Sequence, residues 1–128
     1  MKDNVKDKTA TIRYNQDLLQ KYNEIKSILE REQNKRLSDG ATWILCLKIA
    51  LNNPINVNLL TSDKNLEIRK QIRVNNNTIK DIEKLKMEIS HHKPIKSNVI
   101  VWRYCLKLAY NVIVGDGGNG KDWRYKGK

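Results

Sequence analysis

"WILCLKIAL", Trp43 to Leu51, returns downstream as "WRYCLKLAY", Trp102 to Tyr110. Trp, Cys, Leu, Lys and Ala recur in the same order and spacing, and both cysteines of the chain fall inside the phrase. Self-similarity at a fixed period is the signature of a repeated supersecondary unit. Upstream, "TIRYNQDLL" (Thr11 to Leu19) aligns with "QIRVNNNTI" (Gln71 to Ile79) at an offset one position longer, on the matches Ile12/Ile72, Arg13/Arg73 and Asn15/Asn75. A single-position shortening between "NKRLSDG" and "HKPIKSN" reconciles the two offsets. The repeat therefore spans residues 9–51 and 69–111, most of the 128-residue chain.

Each copy has the same three parts. The first alternates with period two: Ala10, Ile12 and Tyr14 face one way and Thr9, Thr11 and Arg13 the other, the pattern of a half-buried strand. In the second copy Ile72 and Val74 alternate with Arg69, Gln71 and Arg73, with Lys70 interrupting the apolar side. Next comes an amphipathic helix. Leu18, Tyr22, Ile25 and Leu29 form one apolar stripe at helical spacing, and Ile79, Ile82, Leu85 and Ile89 form its counterpart. Asn15 suits the first N-cap, and Asn77 or Thr78 the second. A loop rich in Lys, Ser and Asn then leads into the echoed segment, which is apolar almost all round. A helix of that kind is buried on every side. A unit as small as one copy cannot supply so much burial alone, so the two copies are expected to bury these helices against each other. Between them, "NPINVNLLTSDKN" (Asn53 to Asn65) carries Pro54 as a helix stop and reads as an extended polar connection.

Lys plus Arg number 25 against 14 Asp plus Glu, a formal charge of +11. In so small a protein this excess favours a polyanionic partner, nucleic acid before an anionic membrane surface. No apolar run approaches the ~20 residues that span a bilayer. "MKDNVKDKTA" at the start lacks the apolar centre of a secretory signal, so an intracellular location is expected. Cys46 and Cys105 occupy matching places in the echo and read as buried core positions, with a disulfide the weaker alternative in a reducing compartment.

Several tempting motifs dissolve on inspection. "GDGGNGKD" (Gly115 to Asp122) fits the spacing of a phosphate-binding loop, but Asp122 stands where magnesium binding needs Ser or Thr, and no room remains for the following helix. It reads instead as a Gly-rich tail whose "DWRYKGK" could touch nucleic acid or a partner. His91 and His92 are adjacent with no further ligand at metal spacing. No nucleophile with a base and an orienting group is present, so no catalytic residue, metal or cofactor is expected.

Strand, helix and Ser-led apolar helix, with an Arg on the polar side of the strand, resemble the ribbon-helix-helix DNA-binding family. Having both copies on one chain is similar to tandem regulators of archaeal viruses. The resemblance covers both copies, about two thirds of the chain, and implies a mainly α fold with a short two-stranded antiparallel ribbon. The order would be β-α-α-β-α-α, a pseudo-dimer in a single chain. Its divisions would be a flexible arm (1–8), copy one (9–52), a linker (53–67), copy two (68–114) and a Gly-rich basic tail (115–128). It further implies a transcriptional regulator, repressor or activator, that inserts the ribbon into the major groove of double-stranded DNA and can self-associate there. Base contacts would come from Thr9, Thr11, Arg13, Arg69, Gln71 and Arg73. Arg can fork onto guanine, Gln onto adenine, and the Thr methyl can pack on thymine. Phosphates would be held at the starts of the second helices, by Ser38 and Gly40 and by Ser97 and Asn98, with Lys35, Arg36, Lys93 and Lys96 around them. Two departures qualify the pattern: Lys70 replaces Ala10, implying a late or bent second strand, and Asp39 brings negative charge to the first phosphate site. Alternatives from other classes are an antitoxin-like protein-interaction module and a protein that coats nucleic acid without regard to sequence.

Overall fold

The alternation in "KTATIRY" yields β1, Lys8–Tyr14, and that in "IRKQIRV" yields β2, Ile68–Val74. The computed structural model of the chain describes residues 8–115, so most of the N-terminal arm and the Gly-rich tail lie outside the described residues. β1 leads into α1 (Gln16–Gln33) and α2 (Asp39–Leu51); β2 leads into α3 (Asn76–Ser90) and α4 (Asn98–Tyr110). A 3-10 turn, Val57–Leu59, lies in the connection, and α4 runs on into a π-helical turn, Asn111–Gly115. The fold is thus mainly helical, with a single two-stranded antiparallel sheet among the described residues. No helix among them is long and apolar enough to cross a membrane.

The helix starts follow from side-chain capping. Asn15 accepts from the Leu18 amide (2.9 Å) and Ser38 from the Ala41 amide (3.1 Å). The second amphipathic helix starts at least two residues earlier than expected. Asn75, not Asn77 or Thr78, is its cap, accepting from the Thr78 amide at 2.9 Å. Asn75 is the repeat equivalent of Asn15, so the repeat itself carried the signal. Asn34 ends α1 in the left-handed region (φ 55°), one of the few residue types that tolerates it.

The echoed helices α2 and α4 pack against each other at the centre. Trp43 and Trp102 meet edge to face, ring centroids 6.3 Å apart at 90°. Tyr22 stacks on Trp43 at 5.1 Å and Tyr14 tilts against it at 6.0 Å. Such pairs each contribute about 0.5–1.5 kcal/mol beyond burial. The Trp43 indole N–H is buried without a hydrogen-bond partner among the described residues, a cost of about 1–3 kcal/mol that the ring packing must offset. Cys46 and Cys105 are free thiols with no exposed surface, and burial pushes the Cys46 thiol up to about 12.

The connection differs from the extended spacer expected of it. Leu60 is buried in the core, and Asp63 is clasped by two cations of α4. Its carboxylate lies 3.0 Å from Arg103 Nε and 2.9 Å from Lys107 Nζ, all three side chains nearly buried. Arg103 also donates to the Arg13 carbonyl (3.1 Å), and Asn15 Nδ2 donates to the Lys64 carbonyl (2.9 Å). The segment is a strap fastened to α4 and to the end of β1.

Candidate nucleic-acid interface

In the antiparallel register Thr9 faces Arg73, Thr11 faces Gln71 and Arg13 faces Arg69. Residues directly opposite in such a pair project to the same side, and residues two apart share a face. The six residues expected to read bases are therefore three cross-strand pairs on one face of the ribbon. Five are exposed; Thr11 is half-buried. Ile12, Tyr14, Ile72 and Val74 point the other way and are buried, each at 5% exposure or less. At ~3.3 Å per residue and ~4.8 Å between strands, the outward face is about 13 Å long and one strand spacing wide.

This face holds three arginines, with Arg13 and Arg69 directly opposed. Like charges in that position disfavour the ribbon, and the fold carries them without an acidic residue among the six. Arg13 is partly steadied: its Nη2 donates to the Leu66 carbonyl of the strap at 3.3 Å.

Lys70 neither delays nor breaks β2, which runs continuously from Ile68 to Val74. It belongs to the inward face by register, opposite Ile12, but its ammonium reaches out to Asp39 at the start of α2, 2.9 Å away. Asp39 also accepts from the Tyr22 hydroxyl and lies 3.6 Å from Lys26. Burial, the largest single influence, pushes the Asp39 carboxyl up. The Tyr22 hydrogen bond, Lys70 and Lys26 together outweigh it and hold the carboxyl below its ordinary 3.8. The negative charge at the start of α2 is thus answered inside the protein.

The helix starts flank the ribbon. A Cβ added at Gly40 would lie 3.6 Å from the Arg73 carbonyl, so the first turn of α2 abuts the end of β2. Asn98 shares a cavity wall with Thr9 and Thr11, which places the first turn of α4 beside β1. Ser97 caps α4 through the Val99 amide (3.1 Å), and Asn98 Nδ2 donates to Glu83 (3.2 Å). Lys35, Arg36 and Lys96 are exposed in the loops before these helices. Lys93 is exposed as well, with its ammonium donating to the Leu60 carbonyl of the strap at 2.9 Å. Sequence reasoning missed three features: the Asp39 cluster, the Asp63 clasp and the cavity beside Thr9. Comparing the two copies for size, Tyr14 against Val74 and Tyr22 against Ile82, would have pointed to the cavity.

No group of three or more His, Cys, Asp or Glu able to hold a metal ion occurs among the described residues. A comparison with family models, with curated proteins and with solved structures finds no match.

Proposed function

We propose that this chain is a tandem ribbon-helix-helix protein, two copies paired within one molecule, that binds double-stranded DNA in a sequence-specific manner and regulates transcription. The supporting observation is the face of three cross-strand pairs, Thr9–Arg73, Thr11–Gln71 and Arg13–Arg69. A two-stranded ribbon is narrow enough to enter the ~12 Å major groove, and its Arg and Gln side chains have the donor geometry to read base edges there. The opposed arginines gain from phosphate and guanine what they lose to each other in the free protein. In this reading the loops with Lys35, Arg36 and Lys96, and the first turns of α2 and α4, hold the flanking backbone.

The two strands present different side chains, Thr-Thr-Arg and Arg-Gln-Arg, so the preferred subsite is non-palindromic. Selection from a pool of random duplexes at moderate salt tests this. The expected outcome is an asymmetric consensus. Arg73→Ala should relax one position by about 1–3 kcal/mol, while Lys96→Ala should weaken all sequences alike and lower the salt slope by about 1. Uniform coating of every duplex would leave only the sequence-independent phosphate attraction and would sink the specific reading. A stable stoichiometric complex with another protein, and no DNA affinity even at low salt, would favour the antitoxin-like alternative.

A further inference from the structure

The sequence repeat sets Tyr14 against Val74, Tyr22 against Ile82 and Lys70 against Ala10. Around Trp43 the larger members fill the space. Tyr22 stacks on the indole with 20° between the rings, and Lys70 closes over the Asp39 carboxylate at 2.9 Å. Around Trp102 the smaller members leave a cavity of about 390 Å³, bounded by Ala10, Val74, Ile82, Val99 and Trp102. That volume lies within the ~300–1,000 Å³ of small-molecule sites, which are concave and mostly apolar with a few polar groups.

Its charge is one-sided. Lys8 is the charged residue of the lining and no carboxylate among the described residues lines the space, although Asn98, in the lining at the start of α4, donates to the Glu83 carboxylate beyond it at 3.2 Å. Lys8 lies two positions before Ala10, on the same face of β1. The filled half is a template for what this arrangement accepts: an aromatic ring on the indole, with a carboxylate beside it held by a strand lysine. Asn98 stands where that half has Asp39, so among the described residues of the lining both the acid and the ring are missing.

We propose that this cavity is a binding site for a small aromatic anion, a planar ring bearing a carboxylate or sulfonate. The ring takes the place against Trp102 that Tyr22 takes against Trp43, and the acid group lies at Lys8 and the first turn of α4, where the helix dipole adds to the attraction. The cavity shares Thr9, Thr11 and Asn98 with the proposed DNA face, but binding of the small molecule is read on the free chain without DNA.

Titration of the full chain with 8-anilinonaphthalene-1-sulfonate, read by probe fluorescence, tests the site, with benzoate and neutral benzamide as competitors. One saturable site is expected, displaced by benzoate at a concentration about tenfold lower than by benzamide. Ile82→Tyr, which copies the filled half, should weaken the probe by about tenfold or more, a change of ~1.4 kcal/mol. Ala10→Leu provides a second block should Ile82→Tyr disturb folding, and circular dichroism verifies the helices in both. Lys8→Ala should weaken benzoate and leave benzamide unchanged. Absence of a saturable site, or binding untouched by both blocking variants, overturns the proposal. So does equal competition by benzamide. Probe binding that appears only after Val5→Asp would make the N-terminal arm the occupant, and a two-chain mass that falls to one with Ile82→Tyr would make it a second copy; either overturns the proposal too.

Discussion

Arg13 and Arg69 face each other across the ribbon with no acidic residue among the six outward side chains, an arrangement that stability alone does not favour. Arg69→Thr, which places in β2 the residue that β1 has at the matching position, should raise stability by about 0.5 kcal/mol and blunt discrimination among duplexes. Thermal unfolding and the duplex selection together check this; a variant both less stable and equally selective would refute it. At Asp39 the balance runs the other way, since its carboxyl is held below its ordinary 3.8 by Tyr22, Lys70 and Lys26 against the opposing effect of burial. The lowered value means that the folded state favours the ionised form. Its contribution is complete above about pH 3.8 and fades as acid protonates the group through the lowered value. Asp39→Asn should therefore unfold more easily than the parent chain at neutral pH, and the gap should close in denaturant titrations carried below pH 3.8. The strand residues were legible because period-two alternation marks a face. Lys70 was not, because a long side chain can leave its own face to meet a charge on another element.

Among the elements, the strap between α2 and β2 departs furthest from what its composition suggests. A run of Asn, Thr, Ser and Asp reads as a solvated connection, yet Asp63 sits between Arg103 and Lys107 with only 13% of its side chain exposed. Removing one partner of a buried ionic cluster leaves the others uncompensated. Asp63→Ala should then cost about 3 kcal/mol and open the strap to tryptic cleavage after Lys64, read by chemical denaturation and limited digestion. An unchanged midpoint would show the clasp to be incidental. The helices and their caps were legible from apolar stripes and from Asn or Ser at the starts, and even the misplaced cap was recoverable by aligning Asn75 with Asn15. The clasp was not: it joins single polar residues 40 and 44 positions apart in the chain, and no periodicity records such a meeting.

At the scale of the whole molecule, the echo that marks the two copies is their shared seam, Trp43 against Trp102 with both thiols buried nearby. Shared burial was legible from helices too apolar for a unit of that size. The cavity beside Trp102 was legible only in the size differences between the copies, Tyr14 against Val74 and Tyr22 against Ile82, at positions that the alignment treats as equivalent. β1 and β2 pair within one chain, and this sets the molecularity of folding. A ribbon assembled from two separate chains comes apart on dilution, and its apparent stability depends on protein concentration. Here the partner strand arrives by covalent connection, so unfolding is first order. The thermal midpoint should stay fixed over a hundredfold dilution, and a midpoint that drops would mean that the strands are exchanged between molecules. With no assembly step to complete, the fraction of chains carrying a finished ribbon is the same at a few copies per cell as at thousands.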